Sequence, residues 1–348
     1  MAKSKAPPKP DPMENRREKR VELICQIEEE RRSYVICYLT SLRPRVCGSL
    51  SDDAIRQLFD HLARIPHSPC DRLDLFLVSN GGDFAVPWRL VSLCREHAQE
   101  FNVLIPYRAC SAASLIALGA DKVVMHAFGQ LGPTDPLVRS GFNPRDELGM
   151  ERFISGEDVR AFARFVKETM GIKDPEGLNN ALKVLAKEVH PLALGHVDRN
   201  LHQARLVAER LLRTHIQDVD DDTIASIVDT MASGLHHHSH PINRLEAEKD
   251  LGLKFIEKPS PVVEKVMWKL YKEYEEAFEN RIPFDPAADL TGIRTDHQRD
   301  YDVLMAVIEC QHQCSVCVQR VRCMVTEAEG ARRITTSRLA SVWRCLGD

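Results

Sequence analysis

Residues 73–136 read LDLFLVSNGGDFAVPWRLVSLCREHAQEFNVLIPYRACSAASLIALGADKVVMHAFGQLGPTDP, and the rhythm of this stretch decides the fold class. Leu73 to Ser79 is a short apolar run of the kind buried on both faces of a parallel sheet. It breaks at Asn80-Gly81-Gly82-Asp83, a turn signal. Apolar residues at Phe84, Trp88, Val91 and Cys94 then follow a helical pattern, and a second strand runs from Asn102 to Tyr107. Ser111 to Gly119 is a helix of small residues suited to close packing, and Lys122 to Ala127 is a third strand. Strands alternating with helices over short links imply parallel pairing and right-handed crossovers, an α/β core.

Outward from this core the pattern changes. Upstream, Val35-Ile36-Cys37-Tyr38-Leu39 is a further apolar run. Ser51, Asp52 and Asp53 stand where the N-cap and first turn of a helix through Leu62 belong. Downstream of Pro136 the chain turns mostly helical, with helices expected over about 156–170, 176–189, 197–214, 221–233 and 261–280. Four units are expected. Residues 1–20 form a disordered basic arm, 21–280 the main domain, 281–300 a linker, and 301–348 a small Cys-rich C-terminal segment. The arm carries Lys3, Lys5, Lys9, Arg16, Arg17, Lys19 and Arg20 among four prolines.

With 348 residues, 43% hydrophobic and 28% charged, the composition is that of a globular chain with a substantial core. A formal charge of −4 leaves no basic footprint for nucleic acid or for an anionic membrane, and neither is expected as a partner. No apolar segment follows the basic start as an export signal requires. No run reaches the roughly 18 apolar residues of a membrane span. Eleven cysteines, an odd number, then read as reduced thiols of a cytoplasmic protein. Cys310, Cys314, Cys317 and Cys323 with His312 have the elements of a zinc site. Their crowding and the strand pattern of Val316, Val318 and Val321 favour buried thiols, so neither metal nor cofactor is expected.

The chemistry points to the carboxyl ends of the first two core strands. Gly81-Gly82 follows one and Ser111 follows the next, on the side of an α/β sheet where ligands bind. A serine at a helix start lies beside free backbone N–H groups and the positive end of the helix dipole. Glycines in the neighbouring turn let another N–H approach without a Cβ in the way. Such a place suits an oxyanion, although the same residues also make an ordinary N-cap and an ordinary turn.

The set formed by the Gly-Gly turn, Ala109-Cys-Ser-Ala112, Gly119-Ala-Asp121 and Leu131-Gly-Pro-Thr-Asp-Pro136 resembles the serine dehydrogenase proteinase family. That family is related to signal peptide peptidase A and to the Clp protease. His190-Pro-Leu-Ala-Leu-Gly195 and Gly234 through Pro241-Ile242 to Leu253 extend the likeness over about 25–280. The resemblance implies a Clp-protease/crotonase fold and a serine peptidase. Ser111 is then the nucleophile, and the N–H groups of Gly82 and Ala112 hold the oxyanion. Ser114 is a fallback nucleophile, while Asp83 anchors the turn and Cys110 packs.

A serine also needs a base. Residues 151–160, where signal-peptide-peptidase relatives place a lysine, contain none, and Lys167 is the nearest downstream. A Clp-type histidine would be His126, His190 or a member of the cluster Leu235-His-His-His-Ser-His240, in which His238 aligns best with the family. The base stays open between Lys167 and His238. The expected function is an ATP-independent serine peptidase acting on peptides or unfolded protein as a homo-oligomer. The alternatives are an inactive oligomeric scaffold or sensor of the same fold, and crotonase-like acyl-CoA chemistry.

Overall fold

In a computed structural model the described residues are 13–138, 141–145, 154–216, 220–234, 240–290, 298–328 and 331–346. The chain opens with α1 (Arg17–Arg31), β1 (Tyr34–Thr40), α2 (Asp53–Leu62), β2 (Cys70–Val78), α3 (Val86–His97) and β3 (Ala98–Ile105). There follow β4 (Arg108–Ala109), α4 (Ala112–Leu118), β5 (Lys122–Met125) and β6 (Gln130–Leu131). A helical region comes next: β7 (Leu137–Val138), β8 (Ile154–Ser155), α5 (Gly156–Arg164), α6 (Pro175–Glu188), α7 (Pro191–Arg213) and α8 (Asp221–Asp229). Then come β9 (Ile242–Asn243), α9 (Arg244–Lys249), β10 (Ile256–Glu257), α10 (Pro261–Ala277) and α11 (Pro286–Leu290). The chain closes with β11 (Gln298–Glu309), β12 (Cys314–Ala328) and β13 (Ala331–Cys345).

The main sheet has eight strands in the order β10-β5-β3-β2-β1-β11-β12-β13. From β10 to β1 every neighbouring pair is parallel, as the alternating sequence requires. Side chains alternate across it. Leu75, Leu77, Val103, Ile105, Val123 and Met125 face α2, α3, α4 and α7 in one core. Phe76, Val78, Leu104 and Val124 face α1 and α10 in the other. Strands buried on both faces are continuously apolar for this reason.

Two of the expected boundaries move. The basic arm does not run to residue 20: Met13 is buried and α1 begins at Arg17. Arg20 is 1% exposed because its Nε and Nη2 bind the Glu309 carboxylate at 2.7 and 3.1 Å. A buried guanidinium is tolerable only with such a partner. Residues 301–348 are not a separate appendage either. β11 pairs antiparallel with β1 from Cys37↔Glu309 to Thr40↔Ala306, extending the main sheet. The stretch expected as a linker contains α11 and the first residues of β11, and its residues 291–297 lie outside the described set.

The cysteine-rich strand behaves as period-two geometry demands. Cys314 faces the α1/α10 core and Cys317 and Cys323 face the other, so they cannot share a tetrahedral ion. No cluster of three or more metal-ligating side chains occurs among the described residues. Nor is any helix among them long and apolar enough to cross a membrane.

Candidate active site

The site is built where β2 and β3 end. Past Val78 the chain makes an isolated parallel bridge, Ser79↔Ala109, with Ser79 N–H to Arg108 O and Cys110 N–H to Ser79 O both at 3.0 Å. The buried Ser79 hydroxyl shapes the turn that follows. It takes the Gly81 N–H at 3.0 Å and the Thr40 hydroxyl at 2.8 Å. Gly81 has φ +103°, and a Cβ there would lie 2.7 Å from both Cys110 O and Ser111 Cβ. Only glycine lets the two segments approach this closely. Gly82 is pressed against Leu50, whose N–H binds Gly81 O at 2.8 Å and whose O accepts the Asp83 N–H at 3.0 Å.

Ser111 stands at the head of α4 with φ 55° and ψ −121°. A non-glycine residue in this region costs about 1–3 kcal/mol. The hydroxyl caps nothing: Ser111 Oγ makes no hydrogen bond among the described residues, and the residue is 8% exposed. An ordinary N-cap has extended backbone and bonds the N2 or N3 amide. Ser155 does both at the head of α5. Ser111 does neither, so the capping reading fails on geometry. The N–H groups of Gly82 and Ala112 also have no hydrogen-bond partner among the described residues. A Cβ on Gly81 would lie 3.1 Å from the Ala112 nitrogen, which places that amide against the glycine turn.

The neighbours are structural. Ser114 is fully buried, with its hydroxyl 2.8 Å from Ala109 O and 2.7 Å from Gly132 O while accepting the Gly132 N–H at 3.1 Å. It pins the Leu131–Pro136 loop to α4 and has no hydroxyl proton to spare for chemistry. Cys110 packs against Gly132, where a Cβ would come within 3.0 Å of it, and burial pushes its thiol pKa up. Asp83 is exposed, and its Oδ1 takes the Ala85 N–H at 2.9 Å, anchoring the turn.

The base candidates separate. Lys167 lies on a π-helical turn (Phe165–Thr169) after α5, exposed, with no hydrogen bond or ion pair among the described residues. His126 stacks on Trp268 of α10 at 5.1 Å, and its Nδ1 accepts the Phe128 N–H at 3.0 Å. Burial lowers its pKa, with Arg244 adding to the effect against Glu264. His190 caps α7 by accepting the Leu192 N–H.

His238 lies outside the described residues, but both flanks of its segment are tied to the site. Met231 O accepts the Thr134 N–H at 2.9 Å. On the other side β9 pairs with β6, which pairs with β4, the strand that leads into Ser111. His240 is committed to Glu246, with Nε2 2.6 Å from Oε1. This three-stranded sheet, β4-β6-β9, escaped sequence reading because two-residue strands carry no periodicity to detect.

Residues 9–144 match the family described as ClpP-like SDH-type serine proteinase. Two uncharacterized proteins of Methanocaldococcus jannaschii are similar. One is 29% identical over 128 residues, 33% of this chain and 43% of its own length. The other is 36% identical over 76 residues, 22% of this chain and 27% of its own. The chain therefore spans less than half the length of either relative. Among solved structures, a mutant of the 1510-N membrane-bound stomatin-specific protease aligns over 34% of this chain and 57% of that one. The identity is 14% and the TM-score 0.26. The span that matches the ClpP-like SDH-type serine proteinase family, residues 9–144, contains the glycine turn, Ser111 and the Leu131–Pro136 loop.

Proposed function

We propose that this chain is a serine peptidase that cleaves peptides or unfolded protein through an acyl-enzyme on Ser111. One observation carries the reading: Ser111 holds a strained backbone at a helix start, and among the described residues its hydroxyl and the neighbouring Gly82 and Ala112 N–H groups have no partner. Strain of this kind persists where surrounding structure enforces it, and it clusters at sites of chemistry. Ser111 Oγ attacks the scissile carbonyl and gives its proton to a base. The carbonyl oxygen becomes an oxyanion that accepts hydrogen bonds from Gly82 N–H and Ala112 N–H. Collapse expels the amine, which takes the proton, and water releases the acid by the same route in reverse.

His238 is the base this reading favours over Lys167. The described residues on either side of its segment, Met231 and Ile242, bond to Thr134 and pair with Leu131, whereas Lys167 is exposed and bound to nothing described. No Walker or other nucleotide-binding motif occurs in the 348 residues, so hydrolysis proceeds without ATP unless a partner supplies unfolding. Homo-oligomeric assembly is proposed with it, as is usual for the family.

A fluorophosphonate probe is expected to label the wild type and not Ser111→Ala; equal labelling of both would overturn the assignment. A histidine base further predicts that kcat/KM falls on the acid side as the base is protonated, and that His238→Ala lowers kcat/KM by about 100-fold or more. A second reading, a scaffold that has lost catalysis, is favoured by the lack of any base on Ser111 Oγ among the described residues. It predicts intact oligomers and no labelling.

A further inference from the structure

Three residues before Ser111, Arg108 brings a positive charge to the carboxyl end of the sheet. Its backbone is fixed on both sides: the carbonyl accepts the Ser79 N–H at 3.0 Å, and the residue pairs with Gln130 of β6. The half-buried side chain is held as well. Its Nη2 donates to the Tyr107 hydroxyl at 2.7 Å, and the guanidinium carbon lies 4.5 Å from the centre of the Tyr107 ring. Nη1 lies 3.4 Å from Oδ1 of Asn80, the residue that opens the glycine turn. Tyr107 is braced in turn by Phe128, stacked on it at 5.3 Å, and by Tyr271 of α10 at 5.2 Å.

No acid answers this cation among the described residues. Other arginines around the sheet meet carboxylates: Arg31 binds Asp74, Arg72 binds Glu100 and Arg95 binds Asp121. Arg108 has only a phenol and an amide as acceptors, and its Nε is buried with no hydrogen-bond partner among the described residues. Asp83, just beyond the glycines, commits its Oδ1 to the Ala85 N–H instead. A guanidinium carries five N–H donors, so most of those on Arg108 are unmatched among the described residues. Taking a cation partly out of water without a counter-charge is unfavourable, and a carboxylate that arrives with a ligand offsets that cost.

The position of the charge says which ligand. The Arg108 guanidinium opposes the upward push of burial on the Cys110 thiol, so its field reaches the residue next to Ser111. Asn80, which touches it, is two residues from Gly82, at most about 7 Å of extended chain. An extended peptide advances about 3.3 Å per residue. With its scissile carbonyl between Ser111 and the amides of Gly82 and Ala112, such a peptide passes the cation within about four residues of the bond cut.

We propose that Arg108 is a specificity residue that receives a carboxylate of the peptide substrate. The proposal rests on the peptidase reading of Ser111 and names its substrate class: peptides with an acidic side chain, or a free C-terminal carboxylate, at a fixed distance from the scissile bond. Both present the planar group that a guanidinium grips through two parallel N–H···O bonds. Tyr107 holds the guanidinium before substrate arrives, so little side-chain freedom is left to lose on binding.

The test uses the full chain and a mixture of random-sequence peptides, with free or amidated C-termini, and reads the cleaved bonds by mass spectrometry. If the carboxylate is a side chain, Asp or Glu should stand at one fixed position near the cut at least about fivefold above its frequency in either mixture. If it is the C-terminus, cuts should fall at a fixed distance from the free end and vanish on amidation. Arg108→Gln should level the preference. Arg108→Glu should reverse it toward Lys and Arg, a result that a poorly folded variant cannot give. Fluorophosphonate labelling separates this proposal from the one it rests on. A wild type labelled at Ser111 that shows neither preference would overturn the role of Arg108 alone, as would a preference that survives both substitutions. An unlabelled wild type would overturn the peptidase reading and this proposal with it. Where a labelled enzyme cleaves too slowly for cuts to be counted, a Glu-containing peptide should protect Ser111 from the probe better than its Lys counterpart; equal protection would overturn the proposal.

Discussion

Ser111 and Gly81 are a matched pair: the serine's strained backbone is held in place by a glycine that carries no Cβ at the point of contact. If φ 55° and ψ −121° cost about 1–3 kcal/mol, glycine at 111 should recover much of it. Ser111→Gly is expected to be more stable than Ser111→Ala by about 1 kcal/mol in urea denaturation, with neither variant taking up fluorophosphonate. The same or lower stability for the glycine variant would mean that the backbone is relaxed and the strain argument fails. Gly81→Ala should destabilise by about 1–3 kcal/mol or more, because its Cβ would meet backbone atoms of Cys110 that have no room to yield. Ser111 and the glycines were legible in the sequence as residue types at the ends of strands. What the sequence left open was whether Ser111 caps its helix, since that depends on two dihedral angles and not on residue identity.

At the scale of elements, the helices that carry the site are tied to the C-terminal strands by buried polar contacts. The His61 ring on α2 is fully buried and its Nε2 lies 3.1 Å from the Ser315 hydroxyl of β12. Burial, reinforced by Arg64, lowers its pKa to about 4. In the unfolded chain the imidazole protonates near 6.5. Between these values the unfolded state binds the extra proton, so the stability contributed above pH 6.5 is lost as pH falls toward 4, by about 3 kcal/mol. Urea denaturation of the wild type should show this slope, and His61→Gln should flatten it; an unchanged slope would assign acid sensitivity to other groups. On the opposite face, Glu309 of β11 accepts from Arg20 of α1 and from the Tyr274 hydroxyl of α10 at 2.7 Å each. None of these partners is near another in sequence. The apolar periodicity of α10 was readable, but its polar anchors were not.

The described residues are built around one eight-stranded sheet with two covered faces, and β11–β13 are part of it. Deleting residues 298–348 would strip β11 from β1, orphan the buried Arg20 and expose a parallel edge. Breaking a buried ion pair from one side alone costs about 3–5 kcal/mol, a large share of the stability of an ordinary domain. The truncated chain is expected to lose near-UV circular dichroism and to be degraded readily by protease; a cooperatively folded 1–297 would show that the appended-segment reading of the sequence was the better one. That reading came from composition, because the polar stretch 281–300 with its prolines looks like a boundary. Composition reports local solvation and carries no information on which edge a later strand will find.

The sequence by itself determined the α/β core, the parallel pairing of its strands and the position of Ser111 and the glycine turn. It could do so because those features are local: apolar runs of strand length, helical spacing, and residues without a Cβ at a turn. The tertiary structure decided the rest. It showed that Ser111 is strained and uncommitted among the described residues, that the described flanks of the His238 segment are tethered to the loop on α4, and that β11–β13 extend the sheet. These depend on contacts between residues far apart in the sequence, whose pairing is settled by burial and backbone hydrogen bonding across the chain and not by any short window of it.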